Sequence, residues 1–232
     1  MWHHNDLTNA AYAPGAASNP EGYTWNVDGA QHVVYRGTNG HINELWYNGA
    51  WHHSDLTNTA HAPGATGDPD GYTYTRDGDG TQHVIYRGAD GHINELWYNG
   101  AWHHSDLTNV AHAPGAASNP EGYTWNVDGA QHVVYRGTDG HINELWYDGA
   151  WHHSDLTNVA HAPGATGDPD GYTYTRNGDG TQHVVYRGTD AHIHELWYSP
   201  TSNIANHSEL LATVDVVGTN VTDLSAADLA LA

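Results

Sequence analysis

The sequence predicts an all-β propeller of four-stranded antiparallel blades, and three observations carry that prediction. The first is repetition. Trp2, Trp51, Trp102 and Trp151 each open a Trp-His-His-(Asn/Ser)-Asp-Leu-Thr-Asn segment, in steps of 49, 51 and 49 residues. Residues 1–50 and 101–150 differ only at positions 1, 5, 10, 12, 39 and 48, so a unit of two repeats has been duplicated. Near-identical copies must meet near-identical surroundings, which calls for rotational or solenoidal packing. The second observation is that each repeat breaks into four β-rich runs bounded by turn residues. The third is that nothing has a period of 3.6, which sets aside the helical solenoids.

Each run has its own signal. Residues 23–27, Tyr-Thr-Trp-Asn-Val, stop at Asp28-Gly29, a strong hairpin turn. Residues 32–36, His-Val-Val-Tyr-Arg, stop at Gly37-Thr38-Asn39-Gly40. Residues 41–47 follow and close at Asn48-Gly49, and residues 51–56 form the fourth run. A longer connection rich in Ala, Pro and Gly, residues 57–70, leads to the next unit. Three tight hairpins and one crossover in about 50 residues describe a propeller blade.

The phase of the repeat adds a prediction about closure. The chain opens on a fourth-strand segment, residues 2–7, and the last repeat carries only its first three runs, ending at Tyr198. The N-terminal strand is therefore expected to complete the last blade, which would remove a liable strand edge. Residues 205–210 look like a worn copy of residues 151–156 without the Trp, so either segment is able to close that blade. Four blades in one chain is the expected architecture; the alternative is an eight-bladed ring from two chains. The domain reading is a propeller over residues 1–198 and a non-repeating tail over 199–232, with a short helix expected at residues 223–229.

Composition narrows the chemistry. The 232 residues include 10 Trp and 15 Tyr but no Phe and no Cys. Disulfides, thiolate metal sites and a cysteine nucleophile are excluded. Lys is absent too, and six Arg face 27 acidic residues for a net charge of −21. Such a chain is repelled by nucleic acid and anionic membranes, and it has no Schiff-base or phosphate-loop lysine. No apolar run approaches 18 residues, so no transmembrane helix is expected, and the first residues do not read as a signal peptide. Localisation stays unassigned, with a secreted or cell-surface role allowed. Asn220-Val221-Thr222 is a glycosylation sequon, meaningful only in a eukaryotic secretory pathway.

An enzyme needs one asymmetric constellation of acid, base and nucleophile. Here every acid and histidine recurs in each repeat, so no enzyme is expected. No cofactor is expected, and no metal site is assigned. The adjacent pairs His52-His53 and His103-His104 point to opposite faces of a strand. The segments 77–80 and 177–180 read as hairpin turns rather than calcium loops, because they lack the length and the terminal Glu. Repetition instead favours multivalent binding. A sugar has one apolar face, suited to an aromatic ring, and hydroxyls suited to charged planar partners. A His, Glu and Trp set recurring in each blade is what that chemistry needs.

At these residues a resemblance enters. The run from His32 through Trp46, followed by Gly49-Ala50-Trp51, resembles a blade of the Aleuria-type fungal and bacterial fucose-binding lectins, and more distantly the tectonin and tachylectin-2 propellers. In that family the sugar sits between adjacent blades, held by an Arg, a Glu and an aromatic residue. The resemblance implies a glycan-binding role for Glu44, Glu95, Glu144 and Glu195. It implies an aromatic role for Trp51, Trp102, Trp151 and Trp2. His32, His83, His132 and His183 stand where the family has Arg, so the fucose preference does not carry over with the pocket. The expected function is a multivalent lectin for glycans or glycoconjugates, with a homo-oligomer allowed. The alternatives are a structural or protein-interaction propeller and a His-rich metal-binding surface protein. Trp46, between Leu45 and Tyr47, is expected in the core.

Overall fold

In the computed structural model, which describes residues 1–25, 27–76, 79–125, 127–176 and 179–200, the β-rich runs form four antiparallel sheets. The first is β1 (Glu21–Trp25), β2 (Ala30–Arg36), β3 (Ile42–Tyr47) and β4 (Trp51–Asp55), hydrogen-bonded in that order. The second is β5 (Asp70–Arg76), β6 (Asp79–Arg87), β7 (Ile93–Tyr98) and β8 (Trp102–Asp106). The third is β9 (Glu121–Trp125), β10 (Ala130–Arg136), β11 (Ile142–Tyr147) and β12 (Trp151–Asp155). The fourth has three strands among the described residues, β13 (Asp170–Arg176), β14 (Asp179–Arg187) and β15 (Ile193–Tyr198). The first strands of the four sheets lie beside one another in the order β1, β5, β9, β13, so the sheets are blades around a common inner edge. The fold class is that of a β-propeller. The compact unit spans Met1–Ser199.

The turns form where backbone chemistry demands. Asp28 Oδ1 accepts from the Ala30 N–H at 2.8 Å, and Gly29 takes φ +69°, a conformation closed to most side chains. A three-residue turn at Asn48-Gly49-Ala50 pairs Tyr47 directly with Trp51.

The core lies between blades. Val34, Ile42 and Leu56 of the first blade pack with Val84, Tyr86 and Leu96 of the second. Ile85, Ile93 and Leu107 of the second pack with Val133, Tyr135 and Leu145 of the third. Tyr123, Val134 and Ile142 of the third pack with Val184, Tyr186 and Leu196 of the fourth. Each such side chain taken out of water contributes about 1.5–3 kcal/mol. A buried polar rung accompanies each join: Tyr23 Oη donates to Gln82 Oε1 at 2.9 Å, Tyr72 to Gln131 at 3.1 Å and Tyr123 to Gln182 at 3.0 Å.

Two expectations are corrected. The run 51–56 does not stay extended to its end, because Asp55 accepts from the Asn58 N–H at 2.9 Å and caps a one-turn helix, α2 (Leu56–Thr59). The same device builds α1 (Leu7–Ala10), α3 (Leu107–Val110) and α4 (Leu156–Val159). An Asp that satisfies free N–H groups of a first turn outcompetes strand extension there. Secondly, the N-terminal segment does not close the fourth blade. Residues 1–6 belong to no strand, Trp2 is fully exposed, and β15 pairs only with β14 among the described residues. The first strands of the four blades pack in succession, β1 on β5, β5 on β9 and β9 on β13. The worn segment 205–210, the helix expected at 223–229, the sequon and Asp77-Gly78 and Asn177-Gly178 of the two hairpins lie outside the described residues. No helix among the described residues is long and apolar enough to cross a membrane.

Candidate functional site: the clefts between blades

Register decides which side chains meet. In the first blade His32 lies opposite Trp46, Glu44 opposite Ser54, and Trp46 opposite His52. Directly opposed residues share a face, so His32, Glu44, Trp46 and His52 occupy one face of the blade. Trp51 lies opposite Tyr47, one residue out of step, and occupies the other face. The set named from sequence is therefore divided: His32 and Glu44 meet, and Trp51 is turned away from them. The aromatic ring on their side of the join comes from the next blade. Trp102 packs against the cluster of Val34, Ile42 and Leu56, and Trp151 against that of Ile93 and Leu107. The first two clefts thus take His and Glu from one blade and Trp from its successor; the described residues of the fourth blade supply no such Trp to His132 and Glu144. His83 and Glu95 face Trp151. Trp2 enters no cleft.

The His and Glu are bonded to each other. Nδ1 of His32, His83, His132 and His183 lies 2.8, 2.7, 2.8 and 2.8 Å from Oε1 of Glu44, Glu95, Glu144 and Glu195. A tyrosine ring stacks on each imidazole, Tyr23 on His32 at 5.2 Å and Tyr123 on His132 at 5.3 Å between centroids. The other ring nitrogen is also engaged. In the first and third blades it meets a carboxylate, Asp28 at 3.3 Å and Asp128 at 3.2 Å. In the second and fourth it meets a hydroxyl, Thr81 at 2.6 Å and Thr181 at 2.7 Å. Burial by itself pulls the His32 imidazolium down, but the Glu44 hydrogen bond and charge, with Asp28, outweigh it and raise its pKa. Burial, then the Glu44 charge, raises the Tyr23 phenol well above its ordinary value. The histidine is thus a positioning residue: it holds the carboxylate by one oxygen, and no described residue hydrogen-bonds Oε2 of Glu44 or Glu144.

The third and fourth blades enclose a cavity of about 390 Å³. Trp125, His132, Glu144 and Trp146 line it from the third blade, and Gln182 and Tyr198 from the fourth. Trp146 stacks on His152 at 4.2 Å, and Trp125 meets Tyr198 edge-on at 5.7 Å. Trp25 and Tyr98 repeat that edge contact at the first join. Trp46 is half-buried beside His52 rather than in the core, so the Trp46 position supplies cleft aromatic surface. The inner-strand Trp25 and Trp125 are absent from the set expected from sequence; their signal is the aromatic at the same step of every inner strand, with Tyr74 and Tyr174 at the matching positions. The buried indole Nε1 atoms of Trp25 and Trp125 have no partner among the described residues.

The basic residues do other work. Arg36 Nη2 donates to the Ala17 carbonyl at 2.7 Å and Nε to that of Gly67 at 3.3 Å, pinning the crossovers of two blades. Asp90, His92 and Asp106 form one group able to hold a metal ion, and Asp139, His141 and Asp155 another, with donor atoms within 4.8 Å of one another. In both groups the His Nδ1 is already bonded to the helix-capping Asp.

No family model matches the sequence. No curated protein matches it either. Among solved structures, the chain is similar to the AofleA protein of Arthrobotrys oligospora, at TM-score 0.60 and 16% identity over 84% of this chain and 57% of that one. It is similar to the six-bladed fucose lectin of Aleuria aurantia, at TM-score 0.59 and 16% identity over 80% of this chain and 60% of that one. It is also similar to SapL1 lectin bound to α-methyl fucoside, at TM-score 0.56 and 17% identity over 83% and 64%. The chain spans about three fifths of the length of these proteins. The likeness establishes a shared β-propeller fold.

Proposed function

We propose that this protein is a multivalent, non-enzymatic lectin that binds carbohydrate in the clefts between successive blades. The observation that carries the reading is the cavity of about 390 Å³ between the third and fourth blades, walled by indoles and floored by Glu144. Its volume lies in the range of small-ligand pockets, roughly 300–1,000 Å³. A sugar ring stacks its apolar face on Trp146, and its hydroxyls donate to the free oxygen of Glu144. The lectins of like fold, two of them fucose-binding by description, support the same ligand class. Three joins lie within the chain, and each sets a His–Glu pair against the next blade, so three clefts are expected to bind.

One observation favours a second reading, a structural or protein-interaction propeller. The His–Glu pairs of the first three blades are buried and bonded to each other, which is also what a blade needs merely to satisfy its polar groups. Titration calorimetry with α-methyl-L-fucoside, then with the best glycan from an array, separates the two. Glu144→Gln removes a charged acceptor, and roughly 1.5–3 kcal/mol per such bond corresponds to about ten- to a hundredfold weaker binding at one cleft. Absence of any glycan binding at millimolar concentration, or binding unchanged when Glu44, Glu95 and Glu144 are all Gln, hands the protein to the structural reading.

A further inference from the structure

We propose that the open face of the fourth blade is the docking site for the first blade of a second copy of this chain, and that the join completes a fourth cleft. The argument rests on equivalence. The fourth blade repeats the second, and the first repeats the third, nearly residue for residue. The contact between the second and third blades is therefore already a worked example of the contact the fourth blade would make with the first blade of another copy.

The two open faces carry the inner-strand groups that join uses. At the internal join Ile93 is 0% and Tyr74 7% exposed; their counterparts Ile193 and Tyr174 are 76% and 50% exposed. Tyr72 Oη donates to Gln131 and Tyr74 Oη to the Gly129 carbonyl, and the Gly122 N–H donates to Asp70. The matching groups are Tyr172, Tyr174 and Asp170 on the fourth blade, and Gln31, Gly29 and Gly22 on the first. Gln131 is buried, whereas Gln31 is exposed.

Glycine gives the sharpest sign. A Cβ on Gly71 would stand 2.6 Å from the Tyr23 ring, and one on Gly122 or Gly171 would strike the Tyr72 or Tyr123 ring. Each of these glycines lies under a tyrosine of the preceding blade. At Gly22 the same Cβ would meet nothing nearer than the His32 carbonyl at 3.9 Å. Tyr172 of a second copy is the ring that fits there.

Residues 2–6 fit the same arrangement. They match residues 102–106 except at position 5, and they run into α1 as β8 runs into α3, with Asp6 capping at 3.0 Å as Asp106 does. In the assembly residues 2–6 of the docking copy pair with β15 of the other, and Trp51 of the docking copy faces His183 and Glu195 of that other copy. Glu195, whose side chain is 45% exposed in its pair with His183, becomes covered as Glu95 is. The contact is head-to-tail, so it closes into a ring or continues, according to the angle between copies.

The test is mass, read without any sugar and so independent of the lectin reading. Analytical ultracentrifugation at micromolar concentration should give at least twice 25.2 kDa. Gly22→Val and Ile193→Asp, each on an open face, should both give 25.2 kDa with the circular dichroism of the parent. Because the chain has no Cys, Tyr172→Cys and Gln31→Cys preparations should crosslink through a short bis-maleimide only when mixed. A particle of 25.2 kDa at all concentrations overturns the proposal. So does an oligomer indifferent to both substitutions, or a monomer that associates only after residues 200–232 are removed, which would make that segment the occupant.

Discussion

Glu144 Oε1 lies 2.8 Å from His132 Nδ1, both side chains are buried, and the ring of Tyr123 stacks on the imidazole. Removing the acid leaves a buried imidazole without its acceptor. The cost of stranding a partner of a charged hydrogen bond is about 1–3 kcal/mol or more. Glu144→Ala is therefore expected to lower the melting temperature by several degrees, while Glu195→Ala, whose carboxylate is largely exposed, lowers it less. Calorimetric scans of the two variants check this. Equal losses would mean that burial does not set the worth of the pair.

The blades were legible because each depends on local signals. Asp28-Gly29 and Asn48-Gly49 fix turns within a few residues, and alternating β-rich runs fix the strands between them. That His and Glu stand on one face of neighbouring strands was legible for the same reason, but the sequence reading gave both to the sugar and did not foresee that they bond each other. The partner Trp was not, because the aromatic ring comes from the next blade across a long crossover. A local signal did exist: the three-residue turn places Trp51 opposite Tyr47, and so on the face away from Glu44. The helices at Leu56 and its equivalents were also written locally, in the Asp-Leu-Thr-Asn cap, but the strand pattern before it masked the stop. Closure by residues 2–6 was a global question, set by the angle between blades.

Asp106 serves two neighbours at once. Its Oδ1 accepts from the Asn109 N–H at 3.0 Å, and its Oδ2 meets His92 Nδ1 at 2.8 Å. Loss of the cap alone costs roughly 0.5–2 kcal/mol. Asp106→Ala, which loses both bonds, is expected to destabilise the protein by more than Asp106→Asn, which keeps the cap. Chemical denaturation curves should rank parent, Asn and Ala in that order. If the Asn variant is as unstable as the Ala variant, the charge on His92 outweighs the cap.

Stability should fall as pH rises from about 6.5 to 9. Glu21, Asp70, Glu121 and Asp170 begin the four inner strands, so their carboxyls gather at one end of the common inner edge. Burial, partly offset by the Gly122 N–H and reinforced by Glu21 and Asp170, raises the Asp70 pKa to about 7. Burial, then the charges of Asp70, Asp170 and Glu21, raises that of Glu121 to about 8. A carboxyl whose folded pKa lies above its unfolded one holds its proton more tightly when folded. Its contribution is whole below the unfolded pKa, near 4, and is lost as pH climbs through the folded value. The raised His32 acts in the same direction, whole below its unfolded pKa near 6.5 and lost above it. His104 and His153 oppose this, because burial lowers their pKa values. Their contribution is present above pH 6.5 and is lost as pH falls, so it acts on the acid side of the window. Between 6.5 and 9 the raised groups decide the sign. The melting temperature is expected to be several degrees lower at pH 9 than at pH 6.5. Glu121→Gln should flatten the dependence, since a neutral amide removes one charge from the cluster at every pH. A melting temperature that is level across the window, or that rises, would show that the four carboxyls do not repel one another in the folded protein.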